Sequence, residues 1–70
     1  MSEAVQVTVN GEPRSFEAGL SVRALIEKLD LNPETVAVER NREIVKRDRF
    51  DTQQIGEGDR IEVVEFVGGG

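Results

Sequence analysis

Histidine and cysteine are both missing from the sequence, and tryptophan and tyrosine are missing with them. Without a thiol or an imidazole the chain can form no disulfide, cysteine nucleophile, zinc site of the usual kind or histidine acid-base catalyst. Phe16, Phe50 and Phe66 are the only aromatic residues, too few for the stacking platforms that single-stranded nucleic acid uses. Positive charge is scarce too: 9 Lys and Arg against 14 Asp and Glu give a net charge of −5, which a phosphate backbone repels. No apolar run reaches the roughly 18 residues that cross a bilayer. The opening residues, MSEAVQV, lack the charged start and apolar run of a secretory signal, so a cytoplasmic location is expected. No cofactor and no metal site is expected.

What is present suits one small folded module. A 70-residue chain that is 37% hydrophobic and 33% charged is too apolar for a disordered acidic segment. At this size folding buries only about 60% of the surface of the unfolded chain, so the core is small. The charge is uneven. Arg40, Arg42, Lys46, Arg47 and Arg49 crowd one stretch, which reads as a solvated mixed-charge loop or as a docking patch.

Val5, Val7 and Val9 alternate with Gln6 and Thr8, the period of a strand with one buried face, and Asn10-Gly11 follows as a hairpin turn. The chain returns through Glu12 to Glu17, where Phe16 offers a core side chain and Pro13 indicates an edge strand. Ser21 stands as a helix N-cap. After it Val22, Leu25, Ile26 and Leu29 form one apolar stripe, a helix of about two to three turns that ends by Pro33.

Val36, Ala37 and Val38 read as a third strand, Glu39 to Arg42 as a polar turn, and Ile44-Val45 as a short fourth strand. A connection with a helical turn runs through Asp48, Arg49, Phe50 and Ile55. Gly56-Glu57-Gly58-Asp59 leads into the last strand, Arg60 to Val67. A short amphipathic helix must cover a sheet face, which predicts an α+β grasp of ββαββ order with a mixed four- to five-stranded sheet and the helix packed across it. The last strand is expected in the middle, beside the first.

Few side chains offer chemistry. Glu62 and Glu65, or Asp48 and Asp51, could pair as acid and base, but nothing in the sequence sets either pair in a cleft, and solvated surface is the better reading. Gly56-Glu57-Gly58 lacks the third glycine and the helix start of a phosphate loop and reads as a turn.

The chain ends FVGGG. Terminal glycines are often frayed, but these follow directly on a predicted central strand. Residues 1–67 are therefore expected to form the folded body and 68–70 a slender flexible tail. Glycine has no Cβ, so Gly68, Gly69 and Gly70 can enter a channel too narrow for other residues. What enters first is the α-carboxylate, ionised above a pKa of about 3.3 to 3.7 and unreactive toward nucleophiles until activated. Freezing the tail costs about 1 to 2 kcal/mol per residue, so the body must supply a docking surface. If Ile61 and Val63 face the helix, Val64 and Phe66 face the other way, near the tail, and are the candidate docking residues. A bulge at Val63-Val64 would instead return them to the core.

Six segments in order, Val7-Thr8-Val9-Asn10-Gly11-Glu12, Leu20-Ser21-Val22-Arg23-Ala24-Leu25, Val36-Ala37-Val38-Glu39-Arg40-Asn41, Ile44-Val45-Lys46-Arg47, Gly58-Asp59-Arg60-Ile61-Glu62-Val63-Val64 and the Gly-Gly end, together resemble the ThiS family of thiamine-pathway sulfur carriers. The resemblance runs the whole chain. It implies a ubiquitin-like β-grasp fold and a carrier rather than an enzyme. A ThiF-type ATP-dependent enzyme would adenylate the carboxylate of Gly70, and a persulfide made by a cysteine desulfurase would convert it to a thiocarboxylate. Thiazole synthase would receive the sulfur. Two rival roles keep the same working end: a molybdopterin synthase small subunit, and a ubiquitin-like modifier conjugated through Gly70. In a third, a non-covalent binding module, the tail is inert.

Overall fold

The structure is a computed structural model and describes residues 3–66. β1 (Ala4–Val9) and β2 (Glu12–Glu17) form the expected hairpin, six residues facing six in unbroken antiparallel register. Asn10 (φ 50°) and Gly11 (φ 83°) both take the left-handed conformation that a tight two-residue hairpin turn requires. Pro13 lies on the outer strand, where its missing N–H removes no ladder bond.

Helix α1 (Val22–Lys28) begins where its N-cap predicts, the Ser21 hydroxyl accepting from the Ala24 N–H at 3.1 Å. The other free N–H groups of its first turn are satisfied by the later connection: Val22 donates to Gln53 O at 2.8 Å and Arg23 to Phe50 O at 2.9 Å. Val22, Leu25 and Ile26 are completely buried, and Leu29, just past the last helical residue, packs partly buried against the same core.

β3 (Val36–Arg40), β4 (Glu43–Val45) and β5 (Arg60–Glu65) complete a mixed sheet of order β2-β1-β5-β3-β4, in which only β1 and β5 run parallel. β5 is central and beside β1, as expected. A 3₁₀ turn, Arg47–Arg49, provides the helical turn in the β4–β5 connection. Phe50 and Ile55 from this connection join Val7, Val9, Val36, Val38, Ile61 and Val63 in the core under the helix.

Three points differ from the expectation. The order is ββαβββ, not ββαββ, and β5 ends at Glu65, short of the expected Phe66, while Val67 lies outside the described residues. The β3–β4 turn is also shorter. Glu39 and Arg40 belong to β3, so the turn is Asn41-Arg42 alone, with φ of 53° and 72°. Arginine is costly in this conformation, and Asn41 holds the turn in place. Its N–H donates to Arg60 O at 2.8 Å, and its side-chain oxygen accepts from the Arg60 N–H at 2.9 Å.

Candidate functional site

The expected working end has two parts, a base built by β5 and the glycines beyond it. Val67, Gly68, Gly69 and Gly70 lie outside the described residues. The base is well defined. β3 pairs with β5 one residue to one from Val36↔Glu65 to Arg40↔Ile61, so there is no bulge at Val63-Val64. Alternation along β5 buries Ile61 and Val63 and turns Val64 outward, 59% exposed, and Phe66, one residue past the end of the strand, is 56% exposed.

Three sets of contacts hold the base. The Asn10 side-chain amide treats Val63 as a strand would: its oxygen accepts from the Val63 N–H at 2.8 Å and its nitrogen donates to Val63 O at 3.2 Å. It thereby extends the β1 side of β5 past the last paired residues, Val9 and Ile61. On the opposite side Asn41 holds Arg60 with its backbone N–H and its side-chain oxygen. At the far end the Phe66 N–H donates to Thr35 O at 2.8 Å. Thr35 sits in a short 3₁₀ turn capped by Asn32, whose side-chain oxygen accepts from the Glu34 N–H at 2.9 Å.

Asp59, just before β5, is the one buried charged residue among the described residues. Its carboxylate accepts from Arg40 Nε at 2.8 Å, Asn41 Nδ2 at 3.0 Å and the Gly56 N–H at 2.7 Å. Burial alone would raise its pKa. The bonds from Asn41, Gly56 and Arg40, together with the Arg40 charge, outweigh burial and hold the carboxyl below its ordinary value. Asp59 therefore stays ionised and ties the β3–β4 turn to the start of β5. Sequence reading placed Asp59 only in a turn. The Gly-x-Gly-Asp spacing was the available signal, since an Asp there can accept from a backbone N–H of its own turn.

Ile44 is the residue missed at the surface. It lies opposite Glu39, and Glu39 lies opposite Glu62, which puts all three on the sheet face away from the helix, with Val64. Ile44 is 68% exposed, and Ile44, Val64 and Phe66 are the three exposed large hydrophobics among the described residues. A shallow groove of about 280 Å³ runs along this region, lined in part by Ala37, Ile44, Val45, Lys46, Arg47 and Phe66. Arg47 closes one side of it, donating to Val36 O at 3.0 Å where β4 has already left β3.

The carboxylate pairs do not converge. Glu62 and Glu65 are exposed and, three residues apart on one strand, point to opposite faces; Asp48 and Asp51 are exposed, and Asp51 sits 3.7 Å from Arg23. Among the described residues no group of three or more acidic side chains is placed to hold a metal ion, and no helix is long and apolar enough to cross a membrane.

Comparisons with known proteins agree with one another. Residues 7–70 match the sequence model of the ThiS family. The chain is 41% identical over 66 residues to a thiazole synthase of Paramagnetospirillum magneticum, an alignment covering 94% of this chain but 20% of that protein, so the chain spans about a fifth of its length. It is 38% identical over 50 residues to the sulfur carrier protein ThiS of Bacillus subtilis, covering 71% of this chain and 76% of that protein. Among solved structures, the crystal structure of the thiamine biosynthesis protein ThiS of Geobacter metallireducens superposes with a TM-score of 0.80 at 36% identity, over 94% of this chain and 100% of that one. The match over nearly the whole sequence, with the same sheet and helix in the solved relative, means that the chain belongs to the ThiS family.

Proposed function

We propose that the chain is a sulfur carrier of thiamine biosynthesis that works in the cytoplasm as a co-substrate and not as an enzyme. Residues 1–67 form the β-grasp body, and Gly68, Gly69 and Gly70 form the tail that enters partner active sites. The α-carboxylate of Gly70 attacks the α-phosphorus of ATP on a ThiF-type adenylating enzyme, releasing pyrophosphate. The terminal sulfur of a persulfide, charged by a cysteine desulfurase, then attacks the acyl carbon and expels AMP with one carboxylate oxygen. A thiol cleaves the remaining S–S bond and frees the thiocarboxylate, which donates its sulfur to thiazole synthase.

The observation that carries this reading is the set of exposed hydrophobics Ile44, Val64 and Phe66, on a sheet whose last strand leads through Phe66 and Val67 into a Gly-Gly-Gly end in a ThiS-family chain. The magnitudes are matched. Ordering three glycines costs about 3 to 6 kcal/mol. Covering three large side chains that are 56 to 68% exposed returns about 1 to 2 kcal/mol each, out of about 1.5 to 3 kcal/mol for complete burial. In this account Val64 and Phe66, with Ile44 beside them, meet the partner while the tail threads its channel. Support for thiazole synthase as the recipient is the likeness to a stretch within a protein of that name.

The test is a single-turnover reaction in which the sulfur-loaded chain is mixed with thiazole synthase and its other substrates. Product sulfur stoichiometric with the loaded chain, and none when Gly70 is deleted, is the expected result. Binding to the large subunit of molybdopterin synthase with none to thiazole synthase would overturn the choice of pathway. Retained activity without Gly70 would overturn the carrier role.

A further inference from the structure

The basic stretch noted in the sequence is not used by the carrier reading. Of its five cations, two are spent inside the molecule: Arg40 pairs with Asp59, and Arg47 caps the carbonyls of Val36 and Pro33. Arg42, Lys46 and Arg49 have no ion-pair partner among the described residues. Lys46 and Arg49 line an open groove of about 470 Å³ beside β4, together with Glu43, Ile44, Thr52 and Gln53. β4 is the last strand on that side of the sheet, and its outer edge has no strand against it among the described residues.

A three-residue edge strand flanked by charges is also how proteins discourage edge-to-edge association. That does not account for a groove beside β4 whose wall holds Lys46 and Arg49, neither in an ion pair among the described residues, against the single carboxylate of Glu43, with the exposed Ile44 in its lining. In a chain of net charge −5, free positive charge is concentrated where an open backbone edge adjoins a hydrophobic side chain. No aromatic residue lines the groove, and the overall charge opposes nucleic acid.

From this we infer that the β4 edge is a second docking surface, whose occupant is an acidic extended segment of a partner protein that adds to the sheet as a sixth strand. Its backbone pairs with Glu43–Val45, an apolar side chain lies against Ile44, and its carboxylates meet Lys46 and Arg49. The charge complementarity sets the orientation and speeds encounter at low salt. The surface shares Ile44, Val45 and Lys46 with the groove beside Val64 and Phe66 but is otherwise separate from it, and it does not depend on the carrier role.

The experiment uses the isotope-labelled full chain titrated with a capped peptide, Asp-Val-Ile-Val-Asp-Glu-Glu. Saturable amide shifts confined to residues 43–46 and 49–53, slowed amide exchange in β4 and weakening by salt are expected. The Lys46→Glu, Arg49→Glu double variant should bind about tenfold more weakly, as two surface charge contacts become repulsions. Neither side chain makes a hydrogen bond or ion pair among the described residues, so the variant keeps its fold. The inference is overturned by an absence of saturable shifts at millimolar peptide, by shifts centred on Val64 and Phe66, by equal binding to the double variant, or by inorganic phosphate reproducing the pattern.

Discussion

Replacing Asn10 should loosen the strand on which the working end is built. The residue does two things: it takes the left-handed turn conformation at φ 50°, and it supplies two hydrogen bonds to Val63, 53 positions away. Asn10→Gly keeps the turn and removes both bonds. The Val63 groups lie in a part-buried setting, so their loss should cost about 1 to 3 kcal/mol. Glycine's unfolded-state entropy adds about 0.5 to 1 kcal/mol. Asn10→Ala loses the same bonds and adds about 1 kcal/mol of left-handed strain. The variants should therefore fall about 1.5 to 4 kcal/mol below wild type, a drop in Tm of roughly 10 to 25 °C for a chain of this size. Asn10→Asp keeps the acceptor but sets a carboxylate oxygen where the amide nitrogen lies 3.2 Å from Val63 O, so it should also destabilise. Urea unfolding gives the free energies, and amide exchange at Val63 reports the strand directly. A loss below about 1 kcal/mol for both Gly and Ala, with Val63 exchange unchanged, would refute the claim that this side chain acts as a strand.

Further outcomes follow from the same contacts. Asp59→Asn removes the charge that faces Arg40 and should cost about 2 kcal/mol, below the usual figure for a fully buried pair because Arg40 is 32% exposed. The Asp59 pKa lies below its ordinary value of about 3.8, so its stabilisation is complete above that value and is lost as the pH falls through the lower folded value; acid unfolding should be steeper in wild type than in Asp59→Asn. Leu25→Ala opens a fully buried site and should cost about 2 to 5 kcal/mol, measurable as a lowered urea midpoint. Val64→Asp and Phe66→Asp should change stability by no more than about 0.5 kcal/mol. Each should nonetheless weaken binding to the adenylating enzyme about tenfold or more, measured by titration calorimetry; unchanged binding would remove these side chains from the docking face.

Most of the fold could be read in the sequence because its signals are local. Asn10-Gly11, the Ser21 cap and the Val22, Leu25, Ile26 stripe each lie within a few residues of what they specify. The central place of the last strand, beside the first, followed from the handedness of the crossover connection. What was not legible depends on distant partners. Glu39 and Arg40 look like turn residues until β5 is placed beside them, where Arg40 lies opposite Ile61 and reaches Asp59. The two asparagines announce their turns but not that each side chain reaches β5. At Ile44-Val45, alternation requires one side chain to face out, and only the register with β3 decides that it is Ile44. Alternation alone also could not choose between an exposed Phe66 and a bulge. The unbroken β3–β5 pairing rules out the bulge and leaves Val64 exposed, and Phe66, just past the end of the strand, is exposed as well.

The central claim is that Gly70 carries sulfur, and intact mass spectrometry tests it most directly. The chain is incubated with ATP, a competent ThiF-type enzyme, a cysteine desulfurase with cysteine, and a thiol reductant. A discrete gain equal to the mass difference between sulfur and oxygen, located by fragmentation to Gly70 and absent without ATP, is expected. An unchanged mass, with the same enzymes loading a known sulfur carrier in parallel, would contradict it.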